Sequence, residues 1–421
     1  MLNPPPVATS PNWDTGESTV EPIVPHAAQI PLSAFVVLVV AYTVFAPNFD
    51  QPFIGWGFAG SVVFLLVAHS KARDLAATVI SAAAFTIFHG LFHQSGTGSL
   101  SVSLYAGMLG RAGLIVLGER AIWASPEESR RLLRMFLLAV GIMLFVVASL
   151  LALNLTVTAR PRVWDAYLYV FDGSLGFQPS FALGRIFLRY KVLADLAKGG
   201  YFGLPVVVAL VSAGFLGLRS PWRPLAVLTT AGLFGYLLYW VFPAMGPIYL
   251  VGPSFPGSPL SYAALAQLHP HAITLPIAAP RNAMPSLHMA WAFLLWFGCR
   301  PLSRVARGFA LTYVVLTIAA TLGLGEHYLA DLVVALPFAV AVQALWTPVR
   351  GTARCGVLAG TTTLTLIWLL ALRYSSHYFL LTPVIPRVCV IVTTIISLAM
   401  ERFLWVSQRS HPPEGDASRL P

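Results

Sequence analysis

Charge is what this chain has least of: only 10% of its 421 residues are Asp, Glu, Lys or Arg. A soluble globular domain carries about a quarter, so a water-soluble fold is excluded. Cysteine is also scarce. Cys299, Cys355 and Cys389 lie scattered through apolar or membrane-edge sequence without metal-ligand spacing, and they read as small apolar side chains. Lys and Arg are missing from the first 28 residues, which are Pro-rich and slightly acidic, so this stretch does not read as a signal peptide. No repeat of 20–50 residues and no inverted repeat is visible. That absence counts against a twelve-span transporter, since many transporter folds are built from such repeats.

What is abundant is apolar sequence, at 57% of residues. Twelve stretches are candidate spans, at roughly 30–48, 52–69, 74–93, 101–119, 133–156, 200–217, 225–243, 283–299, 308–324, 327–346, 355–372 and 383–401. A bilayer core needs about 20 apolar residues per helix. The fourth stretch contains Arg111, which is costly at that depth unless it faces protein or snorkels. The net charge of +10 is not a nucleic-acid footprint, because the basic residues form short clusters between apolar segments. Alternate loops hold sixteen Lys and Arg on one side and nine on the other, six of the nine in 157–200. The richer side is therefore expected to be cytoplasmic, with both termini inside and the segments 157–200 and 244–282 outside. Within the first of these, Phe181–Lys198 carries Arg185 and Arg189 one turn apart. It reads as an interfacial amphipathic helix or as an ordinary loop helix.

Ionisable groups near membrane spans each ask for an explanation. Arg281-Asn-Ala-Met-Pro-Ser-Leu-His288-Met opens the eighth candidate span, and Gly323-Leu-Gly-Glu-His327-Tyr-Leu-Ala-Asp331 joins the ninth and tenth. Both open from the same outward face. His327 and Asp331 are four apart, so on a helix they share one face. A carboxylate beside an imidazole fixes its tautomer and raises the reactivity of the far nitrogen. A second histidine opposite, His288, could protonate a leaving oxygen. Together they make covalent phosphoryl transfer possible. Glu326 lies about 100° around a helix from His327 and is expected to face water. His89 and His93 have a spacing that suits a metal, but no carboxylate or Cys accompanies them. Tyr236, Tyr239 and Tyr249 either line a head-group cavity or form an interfacial aromatic belt.

Pro285-Ser-Leu-His288 and His327-Tyr-Leu-Ala-Asp331 resemble the second and third signature motifs of the type-2 phosphatidic acid phosphatase superfamily. Gly235-Tyr-Leu-Leu-Tyr-Trp-Val-Phe-Pro-Ala-Met-Gly-Pro247 resembles the membrane-exit stretch of its inositol phosphorylceramide synthase branch, and Asp165–Pro179 is weakly similar to another stretch of that branch. The resemblance covers about 160–345 and implies a six-helix core formed by the fifth to tenth spans. It implies that His327 attacks phosphorus, that Asp331 orients it, and that His288 is the general acid and later the base. It implies a phosphohistidine intermediate with no metal or other cofactor. Ser286, Tyr239 and Pro247, which lie in the matching segments, become substrate-binding candidates with Arg281. Two departures stand out. No first motif with a Lys and an Arg before a Pro precedes His288, and Thr321 stands where an Arg is usual. A phosphate monoester dianion wants several cationic donors, ideally Arg, whereas a diester needs fewer. The thin cation set favours a phosphodiester donor. Arg281 is the basic group best placed for the phosphate, and Arg185, Arg189 and Lys191 either assist or bind head groups nonspecifically.

The expected protein is thus an all-α, polytopic membrane enzyme of about twelve helices in the plasma membrane. A disordered tail occupies 1–28, four helices 29–130, the catalytic core 131–347 with an interfacial segment at 157–199, two helices 348–405, and a second disordered tail 406–421. Its expected partners are a membrane phospholipid and a lipid acceptor, and its activity a head-group phosphotransferase. The alternative is a phosphatase acting on phosphatidate or polyprenyl (pyro)phosphate.

Overall fold

The computed structural model describes residues 23–46, 51–92, 102–218, 220–275, 279–348 and 351–410. Both tails lie mostly outside these residues, as do His93 and Arg219. Of the two tails, 26–28 and 406–410 are described as helix. In chain order the helices are α1 (His26–Phe45), α2 (Pro52–Val67), α3 (Ala72–Phe92), α4 (Val102–Trp123), α5 (Pro126–Ala159), α6 (Asp165–Ser174), α7 (Pro179–Arg189), α8 (Lys191–Phe202) and α9 (Leu204–Gly214). They continue as α10 (Arg223–Val241), α11 (Pro247–Val251), α12 (Tyr262–Ala266), α13 (Leu287–Gly298), α14 (Arg304–Gly323), α15 (Leu329–Trp346), α16 (Thr352–Tyr374), α17 (Ser376–Phe379) and α18 (Val384–Ser410). Among the described residues, the all-α expectation is modified only by an antiparallel pairing of Arg162–Val163 with Ile273–Thr274, which staples the segments 157–200 and 244–282 together.

Every candidate span contains a helix, but not every helix is span-length. Among the described residues nine helices are long and apolar enough to cross a membrane, and α8 with α9 makes a tenth if that pair, bent by 56°, is one span. The remaining two, α2 with 16 residues and α13 with 12, fall short of the roughly 20 a bilayer requires. Length and composition thus support nine or ten spans rather than twelve. The chain is an integral membrane protein.

Arg111, the residue that made α4 doubtful, faces protein. Its Nε donates to the Thr43 hydroxyl at 2.9 Å, and its guanidinium lies 4.5 Å from the centre of the Phe58 ring. That arrangement answers the desolvation cost of an intramembrane cation. α2 can approach α4 closely because glycines line the contact: a Cβ on Gly110 would stand 2.2 Å from the Phe58 carbonyl.

The segment Phe181–Lys198, expected as one helix, falls in two. Tyr190, at φ −120° and ψ 82°, interrupts the helical hydrogen bonding between α7 and α8. No Gly or Pro signals that break. α7 buries Pro179, Ser180, Phe181 and Gly184, while Leu188, Val192 and Leu196 remain exposed beside Arg185, Arg189 and Lys191. An exposed apolar ridge flanked by cations is what an interfacial element presents to lipid.

The short helix α6 is the keystone of the end at which the histidine motifs lie. Its Leu168, Val170 and Phe171 are fully buried, in one cluster with Tyr328, Ala330 and Val334 near the start of α15. The C-terminal helices close over it. Phe171 meets Trp368 of α16 and Phe379 of α17 edge to face, and the Arg387 guanidinium donates twice to the Leu175 carbonyl.

Candidate active site

His288 is the second residue of α13, and His327 precedes α15 by two residues. Both helices begin at the same end of the bundle. Ser286 caps α13, its hydroxyl accepting from the Met289 N–H, and the Ser286 N–H donates to the Asp331 carbonyl at 3.2 Å. The two histidine segments are therefore joined main chain to main chain.

His327 and Asp331 meet, though not across a helical face. His327 lies in the turn ahead of α15, where its N–H donates to the Thr321 carbonyl at 3.1 Å and its own carbonyl accepts from the Ser180 hydroxyl at 2.9 Å. Asp331 is in the first turn of α15, and its Oδ2 accepts from the Tyr328 N–H at 2.7 Å. That oxygen stands 3.5 Å from His327 Nδ1, with both side chains buried. The helical spacing foresaw the contact, but the cap of α15 produces it. Contacts of this kind are often long before substrate arrives. An Nδ1–H directed at Asp331 would leave Nε2 as the reactive nitrogen. Both ring nitrogens of His327, Nε2 of His288 and Oδ1 of Asp331 are buried without a hydrogen-bond partner among the described residues. Unsatisfied buried polar atoms are costly, and their concentration here marks a place shaped for a polar ligand.

His288 is packed among rings. Tyr201 at the end of α8 stacks on it at 4.0 Å, Phe53 from the start of α2 lies at 5.6 Å, and Trp291 at 5.9 Å. The histidine lines a cavity of about 80 Å³ that Phe145, Leu150, Tyr236 and Tyr239 also wall. Tyr239 is fully buried in this wall, T-shaped against Tyr236, rather than in an aromatic belt. Phe53 was not among the expected site residues. It is 235 residues from His288 in the chain, and an N-terminal helix brings it here.

Two buried aspartates of α6 hold the site from beneath. Asp165 accepts from the N–H groups of Met245 and Gly246 and from the Tyr328 hydroxyl. Asp172 accepts from Leu329 N–H at 2.7 Å and Ala330 N–H at 3.1 Å, capping α15 from another helix. Burial pushes both carboxyls up despite these donors, Asp165 to about 6 and Asp172 to about 8. The sequence held a signal for them: the two acids are seven apart, two helical turns, and so lie on one face.

Gly246 and Pro247 press against the His327 turn. Gly246 has φ +130°, and a Cβ there would stand 2.3 Å from the Glu326 carbonyl oxygen. Only glycine fits this position. Pro247 is buried at the first position of α11, and the next N–H, from Ile248, donates to the Gly325 carbonyl. Glu326 does not face open water as expected. It is half-buried and accepts from the Tyr249 hydroxyl at 3.3 Å, and burial pushes its carboxyl up.

Arg281 is buried, and its guanidinium is turned toward backbone: Nε donates to the Arg160 carbonyl at 2.9 Å and Nη1 to that of Ala279. Desolvation lowers its pKa, with Asp165 opposing the shift. Thr321 returns its hydroxyl to the Thr317 carbonyl, so it does not replace the usual Arg as a donor to ligand. Arg185 and Arg189 are exposed, the former reaching the Gly257 carbonyl at 3.4 Å. His89 is buried with Nδ1 3.3 Å from the Val44 carbonyl.

Residues 166–345, from α6 through α15, match the family model described as the PAP2 superfamily, which supports assigning this region to the type-2 phosphatidic acid phosphatase superfamily. The match points to a phosphatase or phosphotransferase. No curated protein and no solved structure matches the chain.

Proposed function

We propose that the protein is a lipid phosphotransferase, similar to the inositolphosphotransferase branch, that moves a phosphorylated head group from a membrane phospholipid to a lipid hydroxyl at the extracytoplasmic face of the plasma membrane. The observation that carries this reading is the His327–Asp331–His288 set, four of whose buried side-chain atoms lack a hydrogen-bond partner among the described residues, with His288 in an apolar, ring-walled cavity. Such a wall suits a lipid alcohol better than water.

In the first step His327 Nε2 attacks phosphorus. The ester P–O bond breaks, and the leaving oxygen takes the proton held by His288. In the second, the acceptor hydroxyl gives its proton to His288 and attacks phosphorus, and the N–P bond breaks to free His327. Asp331 holds the Nδ1 proton and stabilises the positive charge that develops on the ring. Arg281 is the substrate-binding cation in this proposal. Its existing ties to two carbonyls leave it fewer donors for phosphate, in keeping with a singly charged diester. The start of α13 directs the positive end of its dipole toward the same place.

The test uses purified protein with a phospholipid whose head group is isotopically labelled, with and without a lipid alcohol. Label appearing on the alcohol supports transfer. Label released only as a water-soluble phosphate would replace transfer by hydrolysis, and no reaction with any phosphodiester would remove the proposal.

A further inference from the structure

The helices that present the histidines at one end enclose a second cavity at the other. It holds about 530 Å³, within the range of small-molecule sites. It is lined by Arg223, the first residue of α10, Gly298 and Arg300 at the close of α13, Thr347 after α15, and the last turns of α18. Ten residues of α13 separate His288 from Gly298, and 1.5 Å per residue puts about 15 Å between the two sites along that helix alone.

Among the described residues, the ionisable side chains lining the cavity are Arg223, Arg300 and Glu401, a formal excess of one positive charge. Arg300 donates Nη2 to Glu401 and lies 5.2 Å from the centre of the Trp405 ring. Its Nη1 is buried without a hydrogen-bond partner among the described residues. Arg223 gives Nη2 to the Trp346 carbonyl at 3.0 Å, one donor of a five-donor fork. The remaining wall is largely apolar, with Val211, Phe215, Leu294, Leu295 and Leu404. Arg304 and Arg307 follow at the start of α14, so the surroundings are basic too.

A ligand that answers all of this has one negative charge of arginine-binding geometry and an apolar body. A phosphodiester fits the charge, because guanidinium forks pair with phosphate oxygens. A zwitterionic head group would bring a cation, and among the described lining residues the one carboxylate, Glu401, is already paired with Arg300. We propose that this cavity binds an anionic phospholipid, its phosphate between Arg223 and Arg300 Nη1 and its first chain carbons against Phe215 and Leu294. Basic pockets between transmembrane helices hold anionic lipids in this way. The site is separate from the one at the histidines and does not depend on what reaction they perform.

The experiment is native mass spectrometry of the full chain, delipidated in detergent and titrated with phosphatidylglycerol, phosphatidylcholine or inorganic phosphate. One phosphatidylglycerol is expected to be retained at least ten-fold more tightly than phosphatidylcholine, and inorganic phosphate should not displace it. Arg223→Gln should weaken that retention ten-fold or more. So should the pair Arg300→Met with Glu401→Met, which removes the ion pair as a unit and leaves no charge buried alone. His327→Ala should retain the lipid. Equal retention of the two phospholipids, or unchanged retention in both folded variants, would overturn the proposal. So would loss of the lipid in His327→Ala, which would move it to the other site. Displacement by inorganic phosphate would assign the cavity to a soluble anion instead. Melting temperature, read on each variant, establishes that it is folded.

Discussion

The main-chain N–H of Ser286 reaches the main-chain carbonyl of Asp331 at 3.2 Å. Through that single bond the helix carrying His288 and the helix carrying Asp331 share one origin. The separation of the two histidines is thereby fixed by backbone, which side-chain substitution does not alter. Asp172 and Ser180 add two further ties to the same turn, one to the N–H groups of α15 and one to the His327 carbonyl.

Because no hydrogen bond among the described residues runs through the His327 ring, His327→Ala should abolish turnover while the protein still expresses and melts cooperatively. Asp331→Asn should lower kcat by on the order of 10²–10⁴-fold, as removal of an orienting carboxylate does in other histidine systems. Near-normal turnover of either purified variant would refute the assigned roles.

Asp172 links acidity to stability. Its carboxyl titrates near 3.8 unfolded and near 8 folded. The folded state therefore holds the proton more tightly, and stability present at low pH is lost as pH rises toward 8. Melting temperature in detergent should fall between about pH 4 and pH 8, and Asp172→Asn should flatten that fall. An unchanged pH slope in the variant would show that Asp172 is not the titrating group.

Gly246→Ala tests the close approach beneath His327. With φ +130° and a carbonyl oxygen 2.3 Å from the new Cβ, the Glu326–His327 turn must move. The expected result is a fall in kcat larger than any rise in KM, in a protein that remains membrane-inserted. A fully active variant would mean that the turn yields without moving the ring.

The histidine motifs were legible in the sequence because ionisable residues are so rare in it that His288, His327 and Asp331 stood out against apolar runs. The helices were equally legible, each candidate span containing one. What eluded sequence reading was mostly long-range. Phe53 meets His288 only through the packing of α2 against α9, and no local pattern announces it. Asp165 and Asp172 act on backbone groups roughly 80 to 160 residues away, so their spacing marks a shared face but not what that face holds. The break at Tyr190 has no Gly or Pro to signal it, and Glu326 was misplaced because the turn before α15 is not helical.

Orientation is open to direct measurement. In a cysteine-free background, Ser258→Cys should react with an impermeant thiol reagent in intact cells, and Ser303→Cys should react only after lysis. Both positions are exposed. The opposite pattern would place the histidines on the cytoplasmic side and reverse the sidedness of the substrate.

Direct attack by His327 needs no metal-bound hydroxide, in contrast to zinc and two-metal hydrolases. Activity should survive EDTA and be inhibited by vanadate, which mimics five-coordinate phosphorus. Loss of activity in EDTA, with recovery on adding one divalent ion, would count against a histidine nucleophile.

The 56° elbow between α8 and α9 has a consequence for how His288 is shielded. Tyr201, the ring stacked on that histidine, sits just before the elbow, where α8 meets α9 at Gly203. Lifting the ring off the imidazole requires displacing one twelve-residue arm and leaves the remaining helices in register. Uncovering the proposed proton donor by such a local opening would cost less than unfolding the whole chain. Hydrogen–deuterium exchange at α8 can run orders of magnitude faster than in α13 while both belong to the same native state.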